Sequence, residues 1–182
     1  GGVKMVAILL GTGFEEIEAI TPGDLLRRAG IEVRYVGVSG RTVEGGHGIK
    51  VQCDCTLEEL TQEPQMVVLP GGLGGVASLK ASQKALDLVA DTYRRGGFVA
   101  AICAGPTILA QLGITEGKQV TCYPGFEPQM GNAVCTQQAA VRSGKVITGA
   151  SAGCAVSFGL ALIEALKGKE KADTVKNQIV LR

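Results

Sequence analysis

The chain has 182 residues, with 18 Lys and Arg against 17 Asp and Glu, and a formal charge of +1 at neutral pH. That length suits one α/β domain with a sizeable core, and the mixed charge gives no electrostatic case for nucleic acid or an anionic membrane surface. Aromatic residues are few, tryptophan is absent, and no apolar run has the length of a membrane span, which argues against base-stacking platforms and spanning helices.

Gly1-Gly2-Val3-Lys4 carries no signal-peptide pattern and reads as a cloning or processing scar. Residues 3–10 (VKMVAILL) form a continuous apolar run, expected of a central parallel strand buried on both faces. Gly11-Thr12-Gly13 breaks it. Residues 15–28 then carry apolar positions at helical spacing, with Pro22 expected to kink or restart the helix and Gly30 to stop it. Residues 31–38 supply a second strand, and residues 42–53, with Gly45-Gly46 in the middle, a hairpin.

Residues 66–69 (MVVL) are another buried strand, ending in Pro70-Gly71-Gly72-Leu73-Gly74-Gly75. A helix over 83–95 follows, then a strand over 98–102 and a helix over 104–112. Residues 118–122 and 139–148 read as later strands, the second with a Ser143-Gly144 turn, and helices over 153–166 and 170–179 close the chain. No linker, repeat or low-complexity segment interrupts this order, so residues 1–182 are expected to form a single domain. Alternating strands and helices predict an open, mainly parallel sheet with helices on both faces. Ligands of such sheets bind beyond the C-terminal strand ends, where the turns after Leu10, Leu69 and Ile102 should converge.

Six cysteines stand at 53, 55, 103, 122, 135 and 154. Their spacing matches no common zinc pattern, and a chain of this size needs no disulfide scaffold, so a reducing cytosol is expected. Cys53 and Cys55 near His47, the sole histidine, are the one metal-like grouping. No third or fourth ligand stands near them, and neither metal nor cofactor is expected.

Cys103 is different. In Ala101-Ile102-Cys103-Ala104-Gly105 small residues stand two before and two after the cysteine, as a sharp strand-to-helix turn requires. Such a turn strains the central residue and lifts its side chain over the sheet, and N–H groups at the helix start are expected to lower the thiol pKa. A cysteine hydrolase would also need a histidine base, and nothing after His47 is histidine. A carboxylate from Gly13-Phe14-Glu15-Glu16-Ile17-Glu18 is the remaining partner. Glu15 and Glu16 suit the first turn of a helix. Glu18, on a mostly apolar stretch, is either a plain helix residue or a buried, protonated acid donating to sulfur. Gly71-Gly72 either turns the chain or brings a bare N–H to a developing oxyanion.

Together, GFEEIEA, VVLPGG and AAICAGP resemble the DJ-1/ThiJ/PfpI superfamily, nearest its DJ-1 and YajL branch. DLLRRAGIEV, EGKQVTCYP and FGLALIEALKGKEKA extend the likeness over nearly the whole chain. The resemblance implies a flavodoxin-like three-layer sandwich, usually a homodimer. It implies Cys103 as the reactive, readily oxidised cysteine and Glu18 as its protonated partner. The backbone amides of Gly72 and Ala104 would form an oxyanion pocket, with Glu15, Gly71, Tyr123 and Cys154 around the binding site. Two departures stand out. Tyr123 replaces the histidine of a VTxHP segment, and Ser151-Ala152-Gly153-Cys154 replaces GPGT. Ala104, where the PfpI protease branch has histidine, argues against peptidase activity. The implied activity is cofactor-independent glyoxalase or deglycase chemistry on methylglyoxal, glyoxal or their early adducts, with a stress-protective role in the cytoplasm. The alternative is a non-enzymatic redox sensor or redox-regulated chaperone acting through Cys103 oxidation.

Overall fold

The computed structural model describes residues 4–182. The expected terminal scar at Gly1-Gly2-Val3, and the first residue of the expected first strand, lie outside the described residues. Strand β1 (Met5–Leu10) is apolar throughout because both its faces are covered. Met5, Ala7 and Leu9 enter one core, and Val6, Ile8 and Leu10 enter the other.

Around it assemble β2 (Glu32–Gly37), β5 (Cys55–Thr56), β6 (Met66–Leu69), β7 (Phe98–Ile102), β10 (Ala140–Ser143) and β11 (Val146–Gly149). The seven-stranded order is β10-β11-β7-β6-β1-β2-β5. Every pairing is parallel except β10 against β11. Helices α1 (Glu16–Arg28), α5 (Ala155–Lys167) and α6 (Lys169–Gln178) cover one face through Leu26, Phe158, Leu162 and Val175. Helices α2 (Leu73–Lys80), α3 (Gln83–Arg94) and α4 (Pro106–Gln111) cover the other through Leu79, Val89 and Ile108. This is the expected three-layer α/β sandwich with a flavodoxin-like sheet. No helix among the described residues is long and apolar enough to cross a membrane.

Four local expectations change. Pro22 does not divide α1, which runs through it. The ring removes one intrahelical bond, and burial of Ala19, Leu25 and Leu26 on either side holds the helix together. Past the turn at Gly71-Gly72, the chain forms α2, which glycines at its start had obscured. The helix expected from Ala104 begins at Pro106, a residue suited to a first helical turn. Finally, β8 (Gln119–Val120) lies outside the main sheet and pairs in parallel with β9 (Val134–Cys135). Side chains divert it: the Thr121 N–H donates to Thr148 Oγ1 at 2.9 Å, and Thr121 Oγ1 donates to the Gln138 carbonyl at 2.8 Å. The expected hairpin is β3 (Thr42–Glu44) against β4 (Lys50–Gln52).

From β1 the chain winds outward to β2, then returns to β6 on the opposite side of β1. The order reverses between β1 and β6, and loops leaving their C-terminal ends part to leave a crevice. Glu18 follows β1, Gly71 and Gly72 follow β6, and Cys103 follows β7.

Candidate active site

Cys103 sits directly after β7 with φ +65°, a left-handed conformation that costs a residue other than glycine about 1–3 kcal/mol. Backbone bonds hold it there. Its N–H donates to the Gly149 carbonyl, and its own carbonyl accepts from the Tyr123 N–H, both at 2.9 Å. The small residues read from sequence have a steric reason: a Cβ on Gly105 would lie 2.6 Å from the Leu69 carbonyl oxygen. The elbow therefore depends on strands on both sides of β7.

Glu18 comes from the first turn of α1 and is 0% exposed. Its Oε1 accepts from the Gly71 N–H at 2.9 Å, while Oε2 is buried with no hydrogen-bond partner among the described residues. The carboxyl lies beside Cys103, near enough for each group to shift the other's titration. A carboxylate oxygen with no donor is costly in such a place, and a protonated one is not. Gly71 is glycine because a side chain there would intrude on the pair: its Cβ would lie 2.5 Å from Glu18 Oε1 and 2.7 Å from Cys103 Cβ. Gly72, at φ +89°, turns the loop against Gly13 and Glu15, and its Cβ would meet the Gly13 carbonyl oxygen at 2.5 Å.

Burial pushes Glu18 up to about 7, against the lowering effect of the neighbouring Cys103 and of its bond to Gly71. Burial, reinforced by the Glu18 charge, pushes the Cys103 thiol up to about 11. The depressed thiol pKa expected from the helix start is thus corrected. The Ala104 amide and the Ser151 hydroxyl do favour the thiolate, but burial and the neighbouring carboxylate outweigh them. The two groups titrate as a pair, losing a first proton near 7 and a second near 11. The singly charged pair has two forms, carboxylate beside thiol or carboxylic acid beside thiolate, and one proton transfer between the two groups interconverts them.

Ser151, passed over in favour of Cys154, places Oγ 3.8 Å from Cys103 Sγ. Its position just past β11, the neighbour of β7 in the sheet, was the available signal. Cys154 stands half-buried at the end of the following 3₁₀ turn, Ala152–Cys154. Tyr123 contributes its backbone to the elbow, while its ring is 45% exposed and packs on Phe126. Glu15 caps α1, its Oε2 accepting from the Ile17 N–H at 2.6 Å and the Glu18 N–H at 3.2 Å. Glu16 is buried and accepts from the N–H groups of His47 at 2.8 Å and Ile49 at 3.2 Å. It ties the hairpin to α1. His47 lies by Glu15 and Glu16, its Nδ1 3.3 and 3.1 Å from their Oε1 atoms. The Gly72 N–H donates to no acceptor among the described residues. A cavity of about 750 Å³ lies at the other end of the sheet, among Lys4, Gln65, Gly97 and Lys145. Chemistry, not cavity size, marks the thiol site.

The family model for the DJ-1/PfpI family matches residues 4–165. The chain belongs to the DJ-1/PfpI family. Protein dj-1beta of Drosophila melanogaster is 37% identical, with 98% of this chain and 97% of that protein aligned. Its crystal structure superposes with a TM-score of 0.94 at 36% identity, covering 100% of both chains. The glutathione-independent glyoxalase DJR-1.2 of Caenorhabditis elegans is 33% identical over 92% of this chain and 90% of its own. The structure of an oxidised Toxoplasma gondii DJ-1 has a TM-score of 0.91 at 30% identity, covering 98% of each chain. The DJ-1/PfpI likeness thus spans the crevice as well as the sheet.

Proposed function

We propose that this DJ-1/PfpI protein converts small α-oxoaldehydes such as methylglyoxal and glyoxal to 2-hydroxy acids without a cofactor, using Cys103 as nucleophile. The observation that carries this reading is the buried Glu18 carboxyl beside Cys103 on a strained elbow, with Glu18 poised to exchange a proton near pH 7. Kinship with a glutathione-independent glyoxalase supports it.

Cys103 sulfur adds to the aldehyde carbon and the new alkoxide takes a proton, giving a hemithioacetal. The Gly72 and Ala104 amides are the donors for that oxygen. Glu18 as carboxylate removes the proton from the sulfur-bearing carbon and returns it to the adjacent carbon, leaving a thioester. Water cleaves the thioester, releasing lactate or glycolate and restoring the thiol. The sum is aldehyde plus water giving the acid, with no net oxidation. Early methylglyoxal adducts on proteins or nucleotides enter by the same chemistry after release of the amine. Tyr123 cannot carry protons as an imidazole would near neutrality, so turnover is slow.

Purified protein incubated with methylglyoxal should form lactate, and Cys103→Ala should form none. Equal lactate from both would refute the activity. The second reading, a redox sensor acting through Cys103, rests on the Ser151 hydroxyl and Ala104 amide directed at sulfur. These are donors that also suit a sulfinate. Mild peroxide should then add two oxygens at Cys103 alone; oxygen added across Cys53, Cys55 and Cys122 as well would count against it. We also infer a homodimer, supported by exposed Ile17 and Ile20 on α1 beside exposed Ile49. A monomer mass by light scattering at micromolar concentration would refute it.

A further inference from the structure

Two cysteines that the Cys103–Glu18 chemistry does not use are neighbours. In the parallel pair of β8 and β9, Val120 stands opposite Cys135. Cys122 lies two residues past Val120, just beyond the end of β8. Both cysteines pack into one small apolar cluster with Val120 and Met130, Cys122 buried and Cys135 half-buried. Burial pushes both thiols above the ordinary cysteine range. The two thiols differ in access: Cys135 is open to a small oxidant, and Cys122 is sheltered behind it.

We propose that Cys122 and Cys135 form a second redox site, a dithiol that hydrogen peroxide converts to a disulfide. The Cys135 sulfur attacks a peroxide oxygen and the O–O bond breaks, leaving a sulfenic acid and one water. The Cys122 sulfur then attacks the Cys135 sulfur, and the displaced hydroxide leaves with the Cys122 proton as a second water. Two thiols lose two electrons and one peroxide gains them. The nearby second thiol intercepts the sulfenic acid before it oxidises further.

Cys122 lies two residues past the partner of Cys135, so closing the bond draws the ends of β8 and β9 together. The residue after Cys122 is Tyr123, whose N–H holds the Cys103 carbonyl at 2.9 Å. Oxidation of this dithiol is thereby felt at the elbow. The site does not depend on what Cys103 does.

Trypsin cuts after Lys118 and Arg142, releasing residues 119–142 as one peptide that holds Cys122, Cys135 and no other cysteine. After mild peroxide and alkylation in denaturant, that peptide should be lighter by two hydrogens, carry no alkyl group, and take up two alkyl groups after dithiothreitol. Cys103→Ala should give the same peptide result, which separates this site from the proposed activity. Two alkyl groups on the peptide at doses that already oxidise Cys103, or a sulfinate accumulating at Cys135, would overturn the dithiol. In the wild type, Cys103 alkylation should change rate once the disulfide forms, and an unchanged rate would overturn the link to the elbow.

Discussion

Glu18 offers a direct test of the buried pair through stability. Its carboxyl sits at about 7 in the fold against 4.5 for an ordinary glutamate, because burial disfavours the charged form. A folded pKa raised in this way contributes stability that is fully present below 4.5 and is lost as pH rises through 7. At about 1.4 kcal/mol per pH unit, the gap is worth about 3–4 kcal/mol. Glu18→Gln keeps the shape and a partner for the Gly71 N–H but cannot ionise. Urea unfolding of both proteins from pH 4 to 8.5 at constant ionic strength gives a difference curve in which titrating groups away from the pair cancel. Relative to the variant, the wild type should lose about 3–4 kcal/mol across that window, most steeply between 5 and 7. A flat difference, or one that favours the wild type as pH rises, would refute the placement of a neutral carboxyl beside the thiol.

Three further outcomes follow from the same geometry. Iodoacetamide should alkylate Cys103 with an inflection near 7, where the pair first ionises, and Glu18→Gln should lose that inflection; matching profiles would sever the pair. Gly71→Ala forces a Cβ to within 2.5 Å of Glu18 Oε1, so denaturant unfolding should show a loss of about 1–3 kcal/mol, and an unchanged midpoint would mean the loop is not tightly packed. Tyr123→His should raise kcat with methylglyoxal at neutral pH by supplying an imidazole at the crevice mouth, whereas an unchanged kcat would mean that position carries no proton.

The alternating order of strands and helices, the buried parallel strands and the elbow around Cys103 were legible in the residues themselves. Each is a local demand. MVAILL and MVVL have no polar face to offer water, and a left-handed cysteine needs small neighbours wherever the chain goes next. Glu18 was half legible: its helix position and apolar flanks allowed burial, but burial itself depends on Gly71 and Cys103 arriving from β6 and β7. Glu15 was legible as an acid at the helix start, because its cap to Ile17 and Glu18 uses neighbours alone.

What the sequence determined on its own was the fold class and the elbow that carries the Cys103 sulfur, because hydrophobic period and backbone sterics act over a few residues. The protonation of that sulfur was decided only by tertiary structure. The helix start and Ser151 favour a thiolate, yet burial and a carboxyl brought from 85 positions earlier in the chain dominate. The diversion of β8, the hydroxyl of Ser151 and the meeting of Cys122 with Cys135 belong to the same class. Desolvation and hydrogen bonding between distant segments are properties of the packed molecule, and spacing along the chain does not encode them.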